Sequence, residues 1–556
     1  MSCTEYLPYT LRPKAQESPA CENDVVLENV IVNVGKVAQL VSRVHEASCQ
    51  DPRVKVDVVN RMGLCVSFAV KCNSCNFSLE PIQMSDTVEK AKGPPAGALN
   101  EMAVMPAVKT KMGLTDITTV LTCLNIKAPS KTAMQTKFNA LCDKMAAVNE
   151  RQLIKNQEYL RKVTSLLPAI SGIETQYDVS YSSRPQGGSE KAQQSFADII
   201  EHTTTRKLPI AAAVANKHCR RKDCDHRQDK CRKTYSSEKS IAASERSLLN
   251  ETLNNVRTAG LITLRSVTTD ASTQLAKALR EYKAENNLNF SHYKCFIHRG
   301  RTLEKHIRAL QLCSIPKTCD RQAYMQKLAS CLRGRVRIEL KNARALIKGD
   351  GSFIRAGAAA VRVITKCLSG DHRHCKGTSF VCRGHLLTYS TNCLPYGMHL
   401  QLNNKDQSLI EKELEKMFNE DGLKDMCKLF NTNMVESLHS TVYRLAPKSL
   451  CYSRNFSALC HSAVHSTSVG PSLSTLQLAQ AAGLNVKENS QMYKQLRLKD
   501  RQRKYDSKRR ASADYKQRRY YLRKKKSNRS LFSNSLYSIG QEASPMAQEH
   551  NYGLTS

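Results

Sequence analysis

The chain has 556 residues and a formal net charge of +36, from 85 Lys and Arg against 49 Asp and Glu. Hydrophobic residues make up 41%, enough to bury several cores, and a length of this order suits roughly three to five domains. So large a cationic excess points to a nucleic-acid partner. A membrane partner is disfavoured, because no apolar run approaches the length of a spanning helix.

Residues 1–24 are polar and read as a loose leader. The stretch MSCTEYLPYTLRPK lacks the apolar core of a secretory signal. An intracellular setting is therefore expected, where the 22 cysteines stay reduced. Residues 25–99 mix short apolar runs with Cys and His and read as a zinc-type module. Its donors would be His45, Cys49, Cys72 and Cys75, two close pairs separated by a loop; Cys65 is a spare. The plainer alternative is buried free cysteines beside an exposed CxxC. Residues 100–170 carry helical apolar spacing through KTAMQTKFNALCDKMAAVNERQLIKNQEYLRKVTSLL.

At Ile173 the texture changes. TQYDVSY alternates like a strand, and SFADIIEHTTT and KLPIAAAVAN read as two more. A helix closed by Gly260 follows, then the strand LITLRSVTT, the helix DASTQLAKALREYKAENN and the short strand NFSHYKCFIH. Three strands, a helix, a strand, a helix and a strand are the order required by an α/β core of RNase H-like type, placed at residues 171–300. Residues 301–430 read as a mostly helical insertion with a Cys/His cluster. Residues 431–485 return to the core with a helix. Residues 486–556 read as a basic, Ser-rich, disordered tail, in which 494–529 hold 17 Lys and Arg against three Asp.

Three acidic stations stand out: Asp178 in the first strand, Asp270 at the end of the fourth, and Glu436 in TNMVESLHS. Brought together, three carboxylates would hold a pair of hard divalent cations, Mg²⁺ or Mn²⁺, roughly 4 Å apart across a scissile phosphate. Each has a plainer reading. Asp270 would cap the next helix, in competition with Ser272, and Glu436 would close a capping box begun at Asn433. Asp178 is harder to explain away, because Asp is disfavoured inside strands. Glu174 is its nearest rival.

Further Cys/His groups follow. Cys295-x2-His298 comes after the fifth strand, and Cys367, His372, His374, Cys375, Cys382 and His385 lie in the helical region. One Zn²⁺ shared by Cys295, His298, His372 or His374, and Cys375 or Cys382 would pin that region to the sheet. The alternative is a closed site within 367–385. A third group, Cys219, Cys224 and Cys231 with His218 and His226, lies on a very basic loop that reads equally as a zinc site or a solvated loop near DNA.

The strand with Asp178, the VTTD with Asp270, the CxxH at Cys295 and His298, and TNxxES with Glu436 together resemble the Mutator-like transposases, over roughly residues 28–475. VKCNSC and DHRHCKGTSFVC match the Cys-containing segments of that family. The resemblance implies a DDE transposase with an RNase H-like fold, Asp178, Asp270 and Glu436 as catalytic triad, and cutting and joining of DNA at element ends. Synapsis of two ends implies a homodimer or larger assembly. The Gly and Trp often found near the first Asp of the family are missing here; DVSY stands in that place. An inactive or domesticated copy would keep the zinc and basic surfaces without needing the triad.

Basic side chains complete the picture. Arg299 and Arg301 follow the CxxH. Arg509, Arg510, Arg518, Arg519, Lys524, Lys525 and Lys526 interleave with tyrosines in the tail. They are expected to contact phosphates, the tyrosines to stack on exposed bases, and the same run suits a nuclear-localisation signal.

Overall fold

Apolar and β-branched runs at 173–181, 194–201 and 209–216 have no route to satisfy their backbone groups except by pairing with one another. They do so in the computed structural model, which describes residues 30–33, 36–37, 40, 49, 53–90, 93–167, 171–183, 192–219, 224, 231–315, 321–382 and 393–523. The chain divides into two compact units: Met1–Asn100 with Leu114–Met134, and Glu101–Gly113 with Gln135–Ser556.

In the first unit, β1 (Val54–Met62), β2 (Cys65–Cys72) and β3 (Ser78–Gln83) form an antiparallel sheet in the order β1-β2-β3. The turn between β1 and β2 needs the left-handed conformation of Gly63, at φ +65°. Asn100 locks that turn, donating to the Met62 carbonyl at 2.7 Å and accepting from the Leu64 amide at 2.9 Å. A two-residue ribbon joins β4 (Thr87–Val88) to β5 (Ala96–Gly97). The helices α1 (Ala98–Lys109), α2 (Leu114–Cys123) and α3 (Lys131–Leu166) follow.

The second unit is built on a five-stranded sheet of β6 (Ile173–Tyr181), β7 (Gln194–Glu201), β8 (Pro209–Asn216), β9 (Leu264–Thr269) and β10 (Ser291–Lys294), in the order β10-β9-β6-β7-β8. β6, β7 and β8 are antiparallel; β9 runs parallel to β6 and β10 parallel to β9. The parallel steps are bridged by α4 (Ser244–Ala259) and α5 (Thr273–Glu285). α4 ends at Gly260, in the left-handed conformation at φ 62°. Ile173, Tyr177, Ile199, Leu249, Val267 and Leu279 fill the core between sheet and helices, each fully buried. Burial of a large apolar side chain contributes about 1.5–3 kcal/mol.

Between β10 and the last core helices lie α6 (Phe296–Ala309), α7 (Arg321–Leu346), α8 (Asp350–Arg362), α9 (Ile364–Leu368), α10 (Asn404–Phe418) and α11 (Glu420–Lys424). They share their own core of Leu303, Leu328, Leu332, Phe353, Ile410 and Phe418. The chain then forms α12 (Asn433–Leu445), packed on β6 and β7, α13 (Phe456–Val469), packed on β8, and α14 (Pro471–Ala481).

Two expectations are corrected. NFSHYKCFIH is not one strand: β10 stops at Lys294, and Cys295 is the N-cap residue of α6. The tail expected to be disordered carries α15 (Gln491–Ala511), none of whose residues is buried. Ser490 caps it by accepting from the Tyr493 amide, and Lys, Arg, Gln and Leu are good helix formers. Arg503–Asp500 and Arg509–Asp506 add ion pairs three residues apart.

The sheet edge at β8 is closed by side chains of α3. Asn156 donates to the Pro209 carbonyl at 2.7 Å and Gln157 to the Ile210 carbonyl at 2.9 Å, both buried. Gln157→Met keeps the volume and removes the donor, so a loss of about 1–3 kcal/mol is expected. Differential scanning calorimetry would read it as a lowered thermal midpoint, with exposed Glu150→Ala as the unaffected control.

Candidate acidic and thiolate sites

Asp178 on β6 stands directly opposite Asp198 on β7. Directly paired residues on adjacent strands project to the same face. Two carboxylates side by side in a sheet repel, so a cation or proton donor must sit between them. His439 of α12 does this: its Nε2 lies 2.9 Å from Asp198 Oδ1 and its Nδ1 3.9 Å from Asp178 Oδ2. Burial pulls the His439 imidazole down, but its bond to Asp198 and the charges of Asp198 and Asp178 more than reverse this, leaving it raised. Asp198 is fully buried, and burial pushes its carboxyl up against the opposing pull of His439. Among the described residues its Oδ2 has no hydrogen-bond partner.

Burial also pushes Asp178 up to about 6; His439 pulls it back, and the charge of Asp270 pushes it up again. Asp270 comes immediately after β9, the parallel neighbour of β6. It is not the helix cap. Ser272 takes that role by accepting from the Leu275 amide, and Asp270 Oδ1 accepts from the Ser272 amide at 3.1 Å.

Glu436 lies on the first turn of α12, three residues before His439, so both project from one side of the helix. It closes no capping box: the N-cap is Thr432, which makes no side-chain cap bond. Instead the Arg301 fork grips its carboxylate, at 3.1 Å and 3.5 Å, and His298 Nε2 stands 3.2 Å from Oε1. A bond with Cys295 raises the His298 imidazole, burial opposes, and the charges of Cys295, Asp178 and Glu436 raise it further. Burial pushes the Cys295 thiol up, but bonds from His298 and Thr432 more than offset that and leave it lowered. Cys295 is tied to the strand by its amide, 2.7 Å from the Thr269 carbonyl. His298 therefore faces both Asp178 and Glu436.

Cys295 and His298 thus lie beside Thr432 and Glu436, and the closely gathered donor groups do not include them. The cluster closes without them: Cys367, His372, Cys375 and Cys382 have donor atoms all within 4.8 Å of one another. His372 Nδ1 lies 3.2 Å from Cys382, 3.7 Å from Cys367 and 4.0 Å from Cys375. His374 is not part of this group, and His385 lies outside the described residues. Three sulfurs and an imidazole are a donor set suited to tetrahedral zinc. Behind them Arg335 and Glu339 form a buried pair at 2.9 Å. Arg335 reaches Cys367 Sγ at 3.4 Å, and Glu339 accepts from the Phe380 amide at 2.7 Å.

In the first unit Cys49, Cys72 and Cys75 gather in the same way, while His45 lies outside the described residues. Burial raises the Cys72 thiol, but amide bonds led by Ser74 outweigh it and bring it down to about 6. Cys65 is buried and stays out of the group. Among the described residues, the donor groups gathered this closely are all built on cysteine; the acidic trio is not one of them.

The expected phosphate contacts divide. Arg301 is half exposed but holds Glu436. Arg299 turns inward, its Nε donating to the Met417 carbonyl at 3.4 Å. Arg509 and Arg510 on α15, and Arg518 and Arg519 beyond it, are exposed. Lys524, Lys525 and Lys526 lie outside the described residues. The sequence reading missed Asp198, hidden in the apolar run SFADII, and His439. For His439 the signal was present as the spacing Glu436-x2-His439.

Cys375→Ser should remove about one equivalent of zinc per chain, because three remaining donors hold the ion less well than four. Elemental analysis of the purified protein checks this. His374→Ala should leave the zinc content unchanged.

The family model of Mutator-like transposases matches residues 28–382. That stretch contains Asp178, Asp270, Cys295, His298 and the Cys367–Cys382 group, and it ends before Glu436. No curated protein matches the chain by sequence. The matched residues are well over half of the chain, and they include Asp178, Asp270 and the CxxH described above: the chain belongs to the Mutator-like transposase family.

Proposed function

We propose that this protein is a metal-dependent DDE transposase, with an RNase H-like core, that cuts DNA at transposable-element ends and joins the 3′-hydroxyl to target DNA. The observation that carries the reading is the placing of Asp178 on the central strand and Asp270 at the end of its parallel neighbour, with the Glu436 helix laid against the same strands. The strand order and the two parallel steps are those required by an RNase H-like core.

Asp178, Asp270 and Glu436 would hold two Mg²⁺ or Mn²⁺ ions. The residues fit such ions on two grounds: all donors are hard oxygens, and the charge of Asp270 already burdens Asp178, a repulsion that a cation relieves. Bound there, the ions supply an activated water or 3′-hydroxyl and stabilise the departing oxygen. The protein's own groups set the geometry. His439 and Asp198 hold Asp178 in place. Arg301 and His298 hold the Glu436 carboxylate at the mouth of the site, and Arg301, half exposed, offers its remaining N–H groups to a phosphate. Zn²⁺ at the cysteine groups is structural. The basic segments bind DNA along its phosphates, and the Lys/Arg run of the tail directs the protein to the nucleus. Two element ends require at least a dimer.

Asp178→Asn, Asp270→Asn and Glu436→Gln should each lower Mg²⁺-dependent nicking of end-containing DNA by ~100-fold or more. DNA affinity should stay unchanged, because the cationic surface is intact. Nicking by all three variants at the wild-type rate would overturn the assignment. Binding without any wild-type nicking would instead leave a domesticated DNA-binding protein. His439→Gln removes the imidazole between two carboxylates while preserving the fold of α12. It should lower the nicking rate by about 10–100-fold and shift its Mg²⁺ midpoint upward, with no change in the Kd for DNA.

A further inference from the structure

The edge strand β8 ends at Asn216, and the chain leaves the sheet into KHCRRKDCDHRQDKCRK before returning at Thr234. Eight Lys and Arg stand in those residues against three Asp. Like charges at that density repel one another, yet the two ends of the segment are pinned. Asn216 is buried, and its amide nitrogen donates to the carbonyls of Arg232 and Ser453, each at 3.1 Å. Its backbone N–H donates to Thr234 Oγ1 at 2.9 Å, and its carbonyl accepts from the Thr234 amide at 2.9 Å. Its side-chain oxygen accepts from the His218 amide at 3.0 Å.

One buried amide thus holds both ends of the loop, and the consequence is specific. The sulfurs of Cys219 and Cys231 come to 3.5 Å. Cys224, from the middle of the loop, brings a third, and all three lie within 4.8 Å of one another. The Lys233 amide donates to Cys231 Sγ at 3.4 Å. The same amide-to-sulfur bond, from two residues on, recurs at 3.4 Å between Ser74 and Cys72 in the other unit. A disulfide would use two of the three sulfurs and strand the last; a soft cation uses all of them.

We infer that Cys219, Cys224 and Cys231 bind one Zn²⁺, and that the basic sequence carrying them contacts the phosphates of DNA. Zn²⁺ with three thiolates carries a single negative charge, so the loop keeps a cationic excess after the metal is bound. The metal claim stands whether or not the acidic site cuts DNA. The phosphate claim rests on the partner proposed above.

The test uses the full chain, purified under reducing conditions, with zinc measured by elemental analysis and Co²⁺ as the spectroscopic substitute. Cys224→Ser, in a partly exposed loop, and Cys219→Ser should each lower zinc by about one equivalent and remove one site's share of the thiolate-to-Co²⁺ charge-transfer absorption. The thermal midpoint of each variant, held at the wild-type value, separates loss of the site from loss of the fold. With Cys224→Ser the slope of log Kd for duplex DNA against log salt should become shallower by roughly 1–3, about one phosphate per unit. Zinc content unchanged in both variants overturns the metal site. Zinc loss with an unchanged salt slope overturns the phosphate role. Loss of Asp178→Asn nicking with normal zinc content tests only the acidic site, so the two readings fail separately.

Discussion

Much of this protein follows from one electrostatic constraint: a sheet that places a half-buried Asp178 directly beside a fully buried Asp198. Two carboxylates cannot both stay ionised there without a partner. His439 supplies it, which requires α12 to lie across β6 and β7 at a fixed rotation. That rotation in turn fixes where Glu436, one turn earlier, presents its carboxylate. The pairing that satisfies Asp198 therefore also aims the acidic residue that no strand carries. Among the described residues one Asp198 oxygen has no hydrogen-bond partner, so the compensation of this acidic pair is partial.

The cysteine groups follow a different rule. Thiolates placed within a few ångströms repel one another and gain from a soft cation, so each group needs scaffolding that brings the sulfurs together before the ion adds its share. In the Cys367–Cys382 group that scaffolding is a buried ion pair. Arg335 and Glu339 on α7 are too deep for their attraction to count simply as stabilisation. Their value is positional: Arg335 reaches sulfur, while Glu339 accepts the Phe380 amide near the last ligand. A helix in the middle of the chain thereby dictates the path of a loop that has little core of its own.

What could be read from the residues was whatever depended on local period. TQYDVSY, SFADII and KLPIAAAVAN alternate or run apolar, and each became a strand; the KTAMQ to SLL segment kept helical spacing and became α3. Cys295-x2-His298 was legible as a pair of donors but not as to its partners. The choice between the acidic site and the cysteine cluster depends on how α6 leaves the sheet, which spacing does not encode. Asp198 was hidden because a buried Asp in an apolar run looks like an interruption until its cross-strand neighbour is known. The helix at 491–511 was missed because it has no buried face. Only its cap and side-chain propensities mark it, and these are weak beside a run of like charges.

The position of Glu436, more than 160 residues after Asp270, raises the question of how so long an excursion leaves the site intact. The answer lies at its two ends. The Lys294 and Phe296 amides donate to the carbonyls of Asp425 and Phe430, at 2.8 and 3.0 Å, while Cys295 between them donates to Thr269. Departing and returning chain are thus stitched to each other and to the strand that delivers Asp270. Everything from α6 to α11 packs on its own core, so its length and internal sequence can vary while the exit and entry points stay joined. The return to the sheet is defined by a few backbone hydrogen bonds and one helix face, and a short amphipathic segment carries far less sequence pattern than the strands it completes.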